Sequence, residues 1–396
     1  MHLAWFALIA NQAPVPAAET WVCHEEAYAL KVHDGELHAG TFGGVIKLRD
    51  NGWEEAASPI NGLAASPSGE AARSDRTEFD EARDIVLNSQ TQKPIGRPGT
   101  GKIYALYDLK EETFAATSDG IWRYSKGAWS REKLPSQSPM PRLQGLASAG
   151  RRGWIAGGLG GLFIGRPGGW EKLGDKSVRR VVAGRGDEVW IVYGDGGLDK
   201  LETDKDRWAH DVLYGMVKRP WASCISVVGD SILIGGQGGW VEKTDKSQRE
   251  EHPDWLAGDV VTSMTLWKGQ LIIGGQKTGL HIREGKKWRH LNAAHGLEDL
   301  WISDLIEWKS RLMIATAGGG LHQWDGKSIN KLETPAQNLT ALTVWRSDLV
   351  IGSMHGAHCF DGKVWRPLGD PAEVTALGSS DSALRVILAN KMQSYR

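Results

Sequence analysis

The sequence predicts an all-β protein, folded as a single closed β-propeller of four-stranded blades. Three observations predict this fold. A unit of four short apolar runs recurs along the chain, glycine clusters and tryptophans hold fixed places within it, and the last copy lacks a run that the N-terminus can supply. Repeats of about 40 residues with four strands each are typical of propeller blades.

The unit is clearest between residues 302 and 332. Apolar runs at 302–306, 312–316 and 321–324 are followed by a fourth run that closes the unit. A glycine cluster at 318–320 separates the second run from the third, and Asp325-Gly326 follows the third. Tight hairpin turns need residues that tolerate a positive φ, so both sites predict turns between antiparallel strands.

The same order of runs recurs along most of the chain, and from the third copy onward the copies begin about 35 to 43 residues apart. We therefore predict nine blades, with eight as the alternative if one copy is degenerate. The second and third runs of the successive copies fall at 37–53, 114–129, 154–170, 189–208, 232–248, 271–288, 312–329, 349–365 and 384–396.

The two ends of the chain complement each other. The last copy, 384–396, stops after three runs, and a lone run at 21–24 precedes the first complete unit. We predict that the N-terminal run is the fourth strand of the last blade, which would leave no open sheet edge. Its Trp21 matches the tryptophan that opens the fourth run in other copies, namely Trp53, Trp129, Trp170, Trp208, Trp288 and Trp365.

Residues 57–100 interrupt the repeat and carry neither of its signals. Within them, 77–88 has a helical pattern: Thr77 is a candidate N-cap, and Phe79, Ala82 and Val86 would share one face. We expect a loop with a short helix. It serves either as a lid or partner contact, or as an insertion that a surface loop tolerates at little cost.

The first 18 residues stand apart from the predicted propeller, which spans 19–396. The apolar run 3–10 precedes small residues and prolines, as in a secretory signal, but no basic residue comes before it. We expect a signal peptide or a disordered leader at 1–18. No segment reaches the ~18 apolar residues that a membrane-spanning helix needs. A periplasmic or extracellular location is favoured over a cytoplasmic one.

Overall charge excludes one class of partner. The chain of 396 residues carries 47 Lys and Arg against 48 Asp and Glu, a formal net charge of −1. Nucleic-acid binding depends on a basic surface, so we expect no nucleic-acid partner.

The repeat resembles that of the two-component regulator propellers, the periplasmic sensor repeats of hybrid histidine kinases. The likeness is strongest at His295-Gly296-Leu297, at the runs 302–306 and 312–316, and at Gly319-Gly320-Leu321. It extends over nearly all of 20–396 outside the insertion. The Asp-rich turn of that family is replaced here, for example by 308–310. The resemblance implies a propeller fold and ligand or partner binding, while signalling cannot be carried over without a kinase domain.

Candidate binding residues lie where the chain passes from one blade to the next. Loops entering the first strands share one face with the turns between second and third strands, and tryptophan beside charge suits peptides, sugars or cations. The alternative is that each tryptophan wedges between blades. The candidates are Arg219, Trp221, Trp255, Glu298, Asp299 and Trp301.

A second tryptophan pattern lies on the opposite face. Trp267-Lys268, Trp308-Lys309 and Trp345-Arg346 occupy one repeat position, the turn between first and second strands. The row is either a stacking platform or a result of the similarity between neighbouring repeats.

No motif indicates a catalytic site, a metal site or a cofactor. Three widely spaced cysteines (Cys23, Cys224 and Cys359) form no CxxC pair, and we expect them to be buried apolar side chains. Glycine-rich segments such as 157–161 open no helix and precede no Lys-Ser or Lys-Thr, so they do not predict a phosphate loop.

Three functions remain open. The first is a non-enzymatic binding or assembly module that presents a propeller face to a protein or a glycan. The second is a polysaccharide lyase or glycosidase at the channel mouth, where Arg142, Arg179, Arg180, Lys218 and Arg219 are expected. The third is a structural subunit of a larger complex. The oligomeric state is left open.

Overall fold

A computed structural model shows an all-β architecture made of two compact units. One unit, the N-terminal unit, spans 21–141, and the other, the ring unit, comprises 1–20 and 142–396. No helix in the described part of the chain is long and apolar enough to cross a membrane. The structure describes residues 17, 19–22, 27–33, 35–41, 44–50, 52–56, 77–80, 82–135, 143–149, 153–166, 169–186, 188–202, 205, 207–210, 212, 222–380, 383–389 and 391–396.

The first described strand, β1 (Glu19–Val22), begins in the ring unit, crosses its boundary at residue 20 and pairs in the last sheet of that unit. The N-terminal unit holds two four-stranded sheets and a three-stranded sheet between them in sequence. The first sheet is β2 (Ala27–His33), β3 (Glu36–Thr41), β4 (Gly44–Arg49) and β5 (Gly52–Glu55). The three-stranded sheet is β6 (Thr77–Asp80), β7 (Ile85–Asn88) and β8 (Pro94–Gly96), and the last is β9 (Ile103–Leu109), β10 (Glu112–Thr117), β11 (Gly120–Ser125) and β12 (Ala128–Arg131).

The helix predicted at 77–88 is wrong, because β6 and β7 form an antiparallel hairpin there. Phe79 pairs with Val86 across the hairpin, so their spacing reflects cross-strand neighbours rather than one helix face. The Asp80 carboxylate accepts the N–H groups of Ala82 and Arg83 at 3.0 and 3.1 Å, which holds the turn. Asp84 completes the turn with a φ of 52°.

Among its described residues, the ring unit contains seven four-stranded sheets, here called blades 1 to 7. Blades 1 to 3 are β13 (Leu143–Ser148), β14 (Trp154–Gly158), β15 (Gly161–Arg166) and β16 (Gly169–Gly174); β17 (Val178–Ala183), β18 (Glu188–Tyr193), β19 (Leu198–Glu202) and β20 (Arg207–Ala209); and β21 (Ala222–Val228), β22 (Ser231–Gly236), β23 (Gly239–Lys243) and β24 (Gln248–Glu251).

Blades 4 to 7 repeat the pattern, with short 3-10 helices at Asp254–Leu256 and Ala293–His295 between blades. Their strands are β25 (Val261–Trp267), β26 (Gln270–Gly275), β27 (Leu280–Glu284) and β28 (Lys287–Leu291); β29 (Ile302–Trp308), β30 (Arg311–Thr316), β31 (Gly320–Trp324) and β32 (Ile329–Leu332); β33 (Leu339–Trp345), β34 (Asp348–Ser353), β35 (Gly356–Phe360) and β36 (Trp365–Leu368); and β37 (Val374–Ser379), β38 (Leu384–Leu388) and β39 (Lys391–Tyr395), with β1.

The predicted role of the N-terminal run is confirmed. The strand order of blade 7 is β1-β39-β38-β37, so β1 supplies the outermost strand that the C-terminal copy lacks. Residues 1–16 and 18 lie outside the described residues, and the leader expected at 1–18 stays a prediction.

The ring closes between blade 7 and blade 1. Strand β13 packs beside both β17 and β37, and the Thr375 hydroxyl donates to the Leu143 carbonyl at 2.6 Å. The nine four-stranded sheets match the nine predicted repeats in number. Seven of the described sheets form this closed ring, in which β37 packs beside β13, and the two four-stranded sheets of 27–131 belong to the N-terminal unit.

Glycines of the repeat bring adjacent blades together. Near the end of the second strand, a Cβ added to Gly157, Gly235, Gly274 or Gly352 would lie only 2.3 to 2.6 Å from a β-branched side chain that begins the next blade. Val178 fills this place against Gly157, and Val261 against Gly235. The core therefore lies between the faces of successive blades, where such close packing is possible.

Candidate functional site: the central channel and its mouth

The first strands of the seven blades enclose a central channel of about 1220 Å³. Its described walls carry hydroxyl and small apolar side chains, with charged groups at few positions. Arg179 and Arg180 both line it, as expected for these two residues, whereas Arg142, Lys218 and Arg219 lie outside the described residues.

Every first strand of the ring unit has a β-bulge directly after its first residue. The register to the second strand shifts there in all seven blades. A bulge leaves one residue without a ladder partner and turns its side chain aside. The bulged residues are Gln144, Arg179, Ser223, Thr262, Ser303, Thr340 and Thr375.

Four bulged hydroxyls join neighbouring blades, and we call them the hydroxyl belt. Each donates to the carbonyl of the first residue in the next blade. The pairs are Ser223 to Val261 at 2.5 Å, Thr262 to Ile302 at 2.5 Å, Thr340 to Val374 at 2.7 Å, and Thr375 to Leu143 at 2.6 Å. Each bond satisfies a lone pair of the accepting carbonyl and ties the neighbouring blades together.

Three blades depart from the belt. Ser303 of blade 5 has a buried hydroxyl with no hydrogen-bond partner among the described residues. Blades 1 and 2 replace the hydroxyl by the exposed side chains of Gln144 and Arg179, which line the channel. Arg179 is exposed in the channel wall, and its guanidinium has no hydrogen-bond or ion-pair partner among the described residues.

Arg180, next in the chain, is engaged inside the molecule. Its guanidinium donates to the Thr262 carbonyl of blade 4 at 3.2 Å. Asp304 of blade 5 accepts from the Ser263 hydroxyl at 3.1 Å and from the Leu342 backbone N–H at 2.9 Å, which links blades 4, 5 and 6. Burial raises the pKa of the Asp304 carboxyl, and the positive charge of Arg180 opposes that rise.

One face of the ring surrounds the channel opening, and we call it the mouth face. Because Ile302 pairs with Thr316, first strands begin and second strands end on this face. Trp301 and Met354 border the opening there and are 46% and 44% exposed. Asn338 lies between them. Its side-chain amide donates to the Ala317 carbonyl at 3.0 Å, and its backbone carbonyl accepts from the Met354 N–H at 3.1 Å. The Ala317 N–H in turn donates to the Trp301 carbonyl at 3.0 Å.

The predicted binding residues are thus only partly brought together. Trp301 is exposed at the opening. Glu298 is exposed but forms an ion pair with Lys331 at 2.6 Å. Asp299 accepts the N–H of Gly318 at 2.6 Å and that of Trp301 at 3.1 Å, so it shapes the loop that carries Trp301. Trp221 and Arg219 lie outside the described residues.

Trp255 is half-buried between blades 3 and 4, as the wedge alternative expects. Its ring stacks on His281 at 4.2 Å and meets His290 edge-on at 5.1 Å. The Thr278 hydroxyl donates to the buried Asp259 carboxylate at 2.6 Å, so its oxygen accepts from His281 Nε2 at 2.8 Å. His281 Nδ1 then accepts from His290 Nδ1 at 2.5 Å.

This hydrogen-bond chain requires a neutral His281. Burial and the neighbouring His290 imidazole lower the pKa of His281 to about 3. Two further histidines, His322 and His358, occupy the same place in the third strands of blades 5 and 6, and burial lowers the pKa of each, that of His358 to about 4. Cys224 and Cys359 are buried as predicted, while Cys23 lies outside the described residues.

The tryptophan row on the opposite face does not present open rings. Lys268, Lys309 and Arg346 each take a left-handed φ and fold over their own tryptophan, at 4.2, 4.4 and 4.7 Å from the ring centroid. Trp267 also contacts Trp324 of the next blade at 4.8 Å. These rings are wedges between blades and give no support to the predicted stacking platform.

The fold and its channel define the class: the protein is a β-propeller. The chain is similar to the extracellular domain of the putative hybrid two-component system BT3049 from B. thetaiotaomicron, with 13% identity and a TM-score of 0.56, covering 93% of this chain and 51% of that one. It is also similar to the corresponding domain of BT4673 from B. thetaiotaomicron, with 13% identity and a TM-score of 0.53, covering 93% and 63%.

Smaller propellers match as well. The structure titled "YCF48 bound to D1 peptide" has 15% identity and a TM-score of 0.50, covering 65% of this chain and 93% of that one. No protein-family model and no curated protein matches the chain. The chain spans about half to two thirds of the length of the two-component domains. At these identities the comparisons establish the fold alone.

Proposed function

We propose that the protein is a non-enzymatic binding module whose mouth face receives an extended segment of a partner protein. The observation that carries the proposal is the placement of exposed apolar side chains. Four large apolar side chains are exposed in the described part of the chain, and three of them, Leu159, Trp301 and Met354, belong to the mouth face. Apolar anchors beside a polar cavity are typical of protein recognition.

The alternative of a lyase or glycosidase has less support. Such catalysis needs a cluster of proton-transferring groups at one point of the channel. The ionisable groups among its described lining are Arg179, Arg180, Cys224, Asp304 and Glu373, with no histidine or tyrosine. Arg180 and Asp304 hold blades together, so they are positioned for structure rather than for substrate.

Two similarities support the proposal. The similar structure of YCF48 has a D1 peptide bound, which supports a peptide segment as the ligand of this fold. The two-component domains are extracellular, which favours a periplasmic or extracellular place for this chain. We propose that the sequence-predicted candidates Trp221 and Arg219, which lie outside the described residues, contribute to the same surface.

The test is capture of partners from native extract by the wild type and by variants of the mouth face. We expect Trp301→Ala, Met354→Ala and Trp221→Ala each to weaken capture of a discrete protein about tenfold, as for an interface anchor, with unchanged thermal melting. Val364→Ala is the matched control, because Val364 is 36% exposed and lies in a third-to-fourth-strand turn on the opposite face. If wild type, Trp301→Ala and Met354→Ala capture equal amounts of the partner protein, the proposal is wrong.

A further inference from the structure

The channel is asymmetric in charge and polarity near its mouth. On the side of blades 5 and 6, the opening carries the apolar side chains of Trp301 and Met354. On the side of blades 1 and 2, the wall carries Gln144 and Arg179 at the bulge position. A ligand that touches both sides meets an apolar surface and then a cation with an amide beside it.

Arg179 differs in kind from the other residues at its repeat position. In blades 3, 4, 6 and 7 that position holds a hydroxyl that donates to the next blade. In blade 2 the position holds a guanidinium that is exposed in the channel and makes no hydrogen bond or ion pair with the described residues. The blade-joining function of this position is therefore absent in blade 2, and a free cation replaces it.

No other charged side chain of the described channel wall contacts the Arg179 guanidinium. Arg180 is held by the Thr262 carbonyl and lies in the field of Asp304. Glu373 is exposed at the mouth on blade 7, and no ion pair joins it to Arg179. A guanidinium with five donors in a planar fork is suited to a carboxylate, which it can bind through two parallel hydrogen bonds.

We infer that the channel selects acidic protein segments: an apolar side chain of the partner docks on Trp301 and Met354, and an Asp or Glu side chain of the same segment enters the channel and pairs with Arg179. This inference rests on the proposed function and specifies its ligand. Gln144 supplies a neutral donor on the neighbouring blade. An oligosaccharide with uronate groups offers the same carboxylate chemistry, but it lacks the apolar side chain that Trp301 and Met354 accommodate.

The test is selection of a random dodecapeptide phage library on the immobilised full chain, followed by affinity measurement with the enriched peptides. We expect enriched sequences to combine an aromatic or aliphatic residue with Asp or Glu. Arg179→Gln should weaken their binding about 10- to 100-fold, as loss of a charge-assisted pair does. Arg179→Lys should restore part of it. Arg311→Gln should not change it, because Arg311 is an exposed arginine on the opposite face.

The outcomes separate the two proposals. Peptides that depend on Trp301 but carry no acidic residue, or that bind Arg179→Gln as well as wild type, overturn the inference and leave the proposed function standing. If no peptide is enriched on the wild type, the proposed function fails and the inference with it. Binding of hexagalacturonate that requires Arg179, without peptide enrichment, overturns the inference in favour of an acidic glycan.

Discussion

At the scale of single residues, neighbouring side chains decide whether a tryptophan binds or packs. Trp255 and Trp301 both follow charged residues between blades, and the sequence pattern treats them alike. Trp255 is covered because His281 and His290 come from the adjoining strands and meet its ring. Trp301 stays exposed because Asp299 and Ala317 hold its backbone and leave its ring at the opening. Such long-range neighbours cannot be identified from local spacing.

The buried His281 makes stability depend on pH in a defined direction. Its folded pKa of about 3 lies below the ordinary value of 6.5, so the unfolded chain binds the proton first as pH falls. The stability is fully present above pH 6.5 and is lost progressively as pH falls toward 3. A single group with this displacement loses on the order of 3 kcal/mol by pH 4.

The measurement is urea unfolding of wild type and His281→Gln at pH 7 and at pH 4. His322 and His358 titrate in both proteins, so the difference between the two pH-dependent losses reports His281 together with its hydrogen-bonded neighbour His290. We expect the variant to be less stable at pH 7, where it lacks the hydrogen-bond chain, but to lose less on acidification. An equal loss in both proteins would show that His281 is not kept neutral by its site.

At the scale of elements, the hydroxyl belt shows that the repeat pattern includes residues that join neighbouring blades as well as residues that form turns. Ser or Thr directly after the first apolar residue of a blade recurs at Ser223, Thr262, Ser303, Thr340 and Thr375, and this signal is visible in the sequence. Its meaning depends on the β-bulge, which no local propensity specifies. Glycine clusters and Asp-Gly turns could be interpreted directly because a positive φ restricts the residue type, as at Gly320 and Gly326.

The belt predicts unequal effects for similar substitutions. Thr375→Val and Thr340→Val keep the side-chain shape but leave a carbonyl of the next blade without its donor, so each should lower the free energy of unfolding by about 1–2 kcal/mol. Ser303→Ala removes a buried hydroxyl that has no described partner, and it should change stability by less than about 0.5 kcal/mol or increase it. Chemical unfolding of the three variants checks this ranking, and a loss at Ser303→Ala equal to that at Thr375→Val would refute it.

At the scale of the whole molecule, the sequence repeat predicts how many four-stranded blades there are, but it does not predict which blades pack against each other. The four-strand unit, the closing strand β1 and the propeller fold were all predictable, because each depends on local runs and on matching ends. Ring closure depends on contacts between residues far apart in the chain. Arg385 of blade 7 lies over the Trp154 ring of blade 1 at 4.4 Å, and Gly378 approaches the Leu146 carbonyl.

Closure of the ring between blades 1 and 7 can be tested by cross-linking in solution. Thr375 donates to Leu143, so cysteines at Gln144→Cys and Thr375→Cys would face the channel on adjacent first strands. A short bismaleimide of roughly 8 Å, comparable to the ~10 Å between packed sheets, should join them in high yield, as peptide mapping by mass spectrometry would show. The pair Gln144→Cys with Thr262→Cys is the control, because Thr262 lies in blade 4 and two blades separate it from blade 1. A ring closed through other blades would leave 144 and 375 unlinked, or linked no better than the control pair.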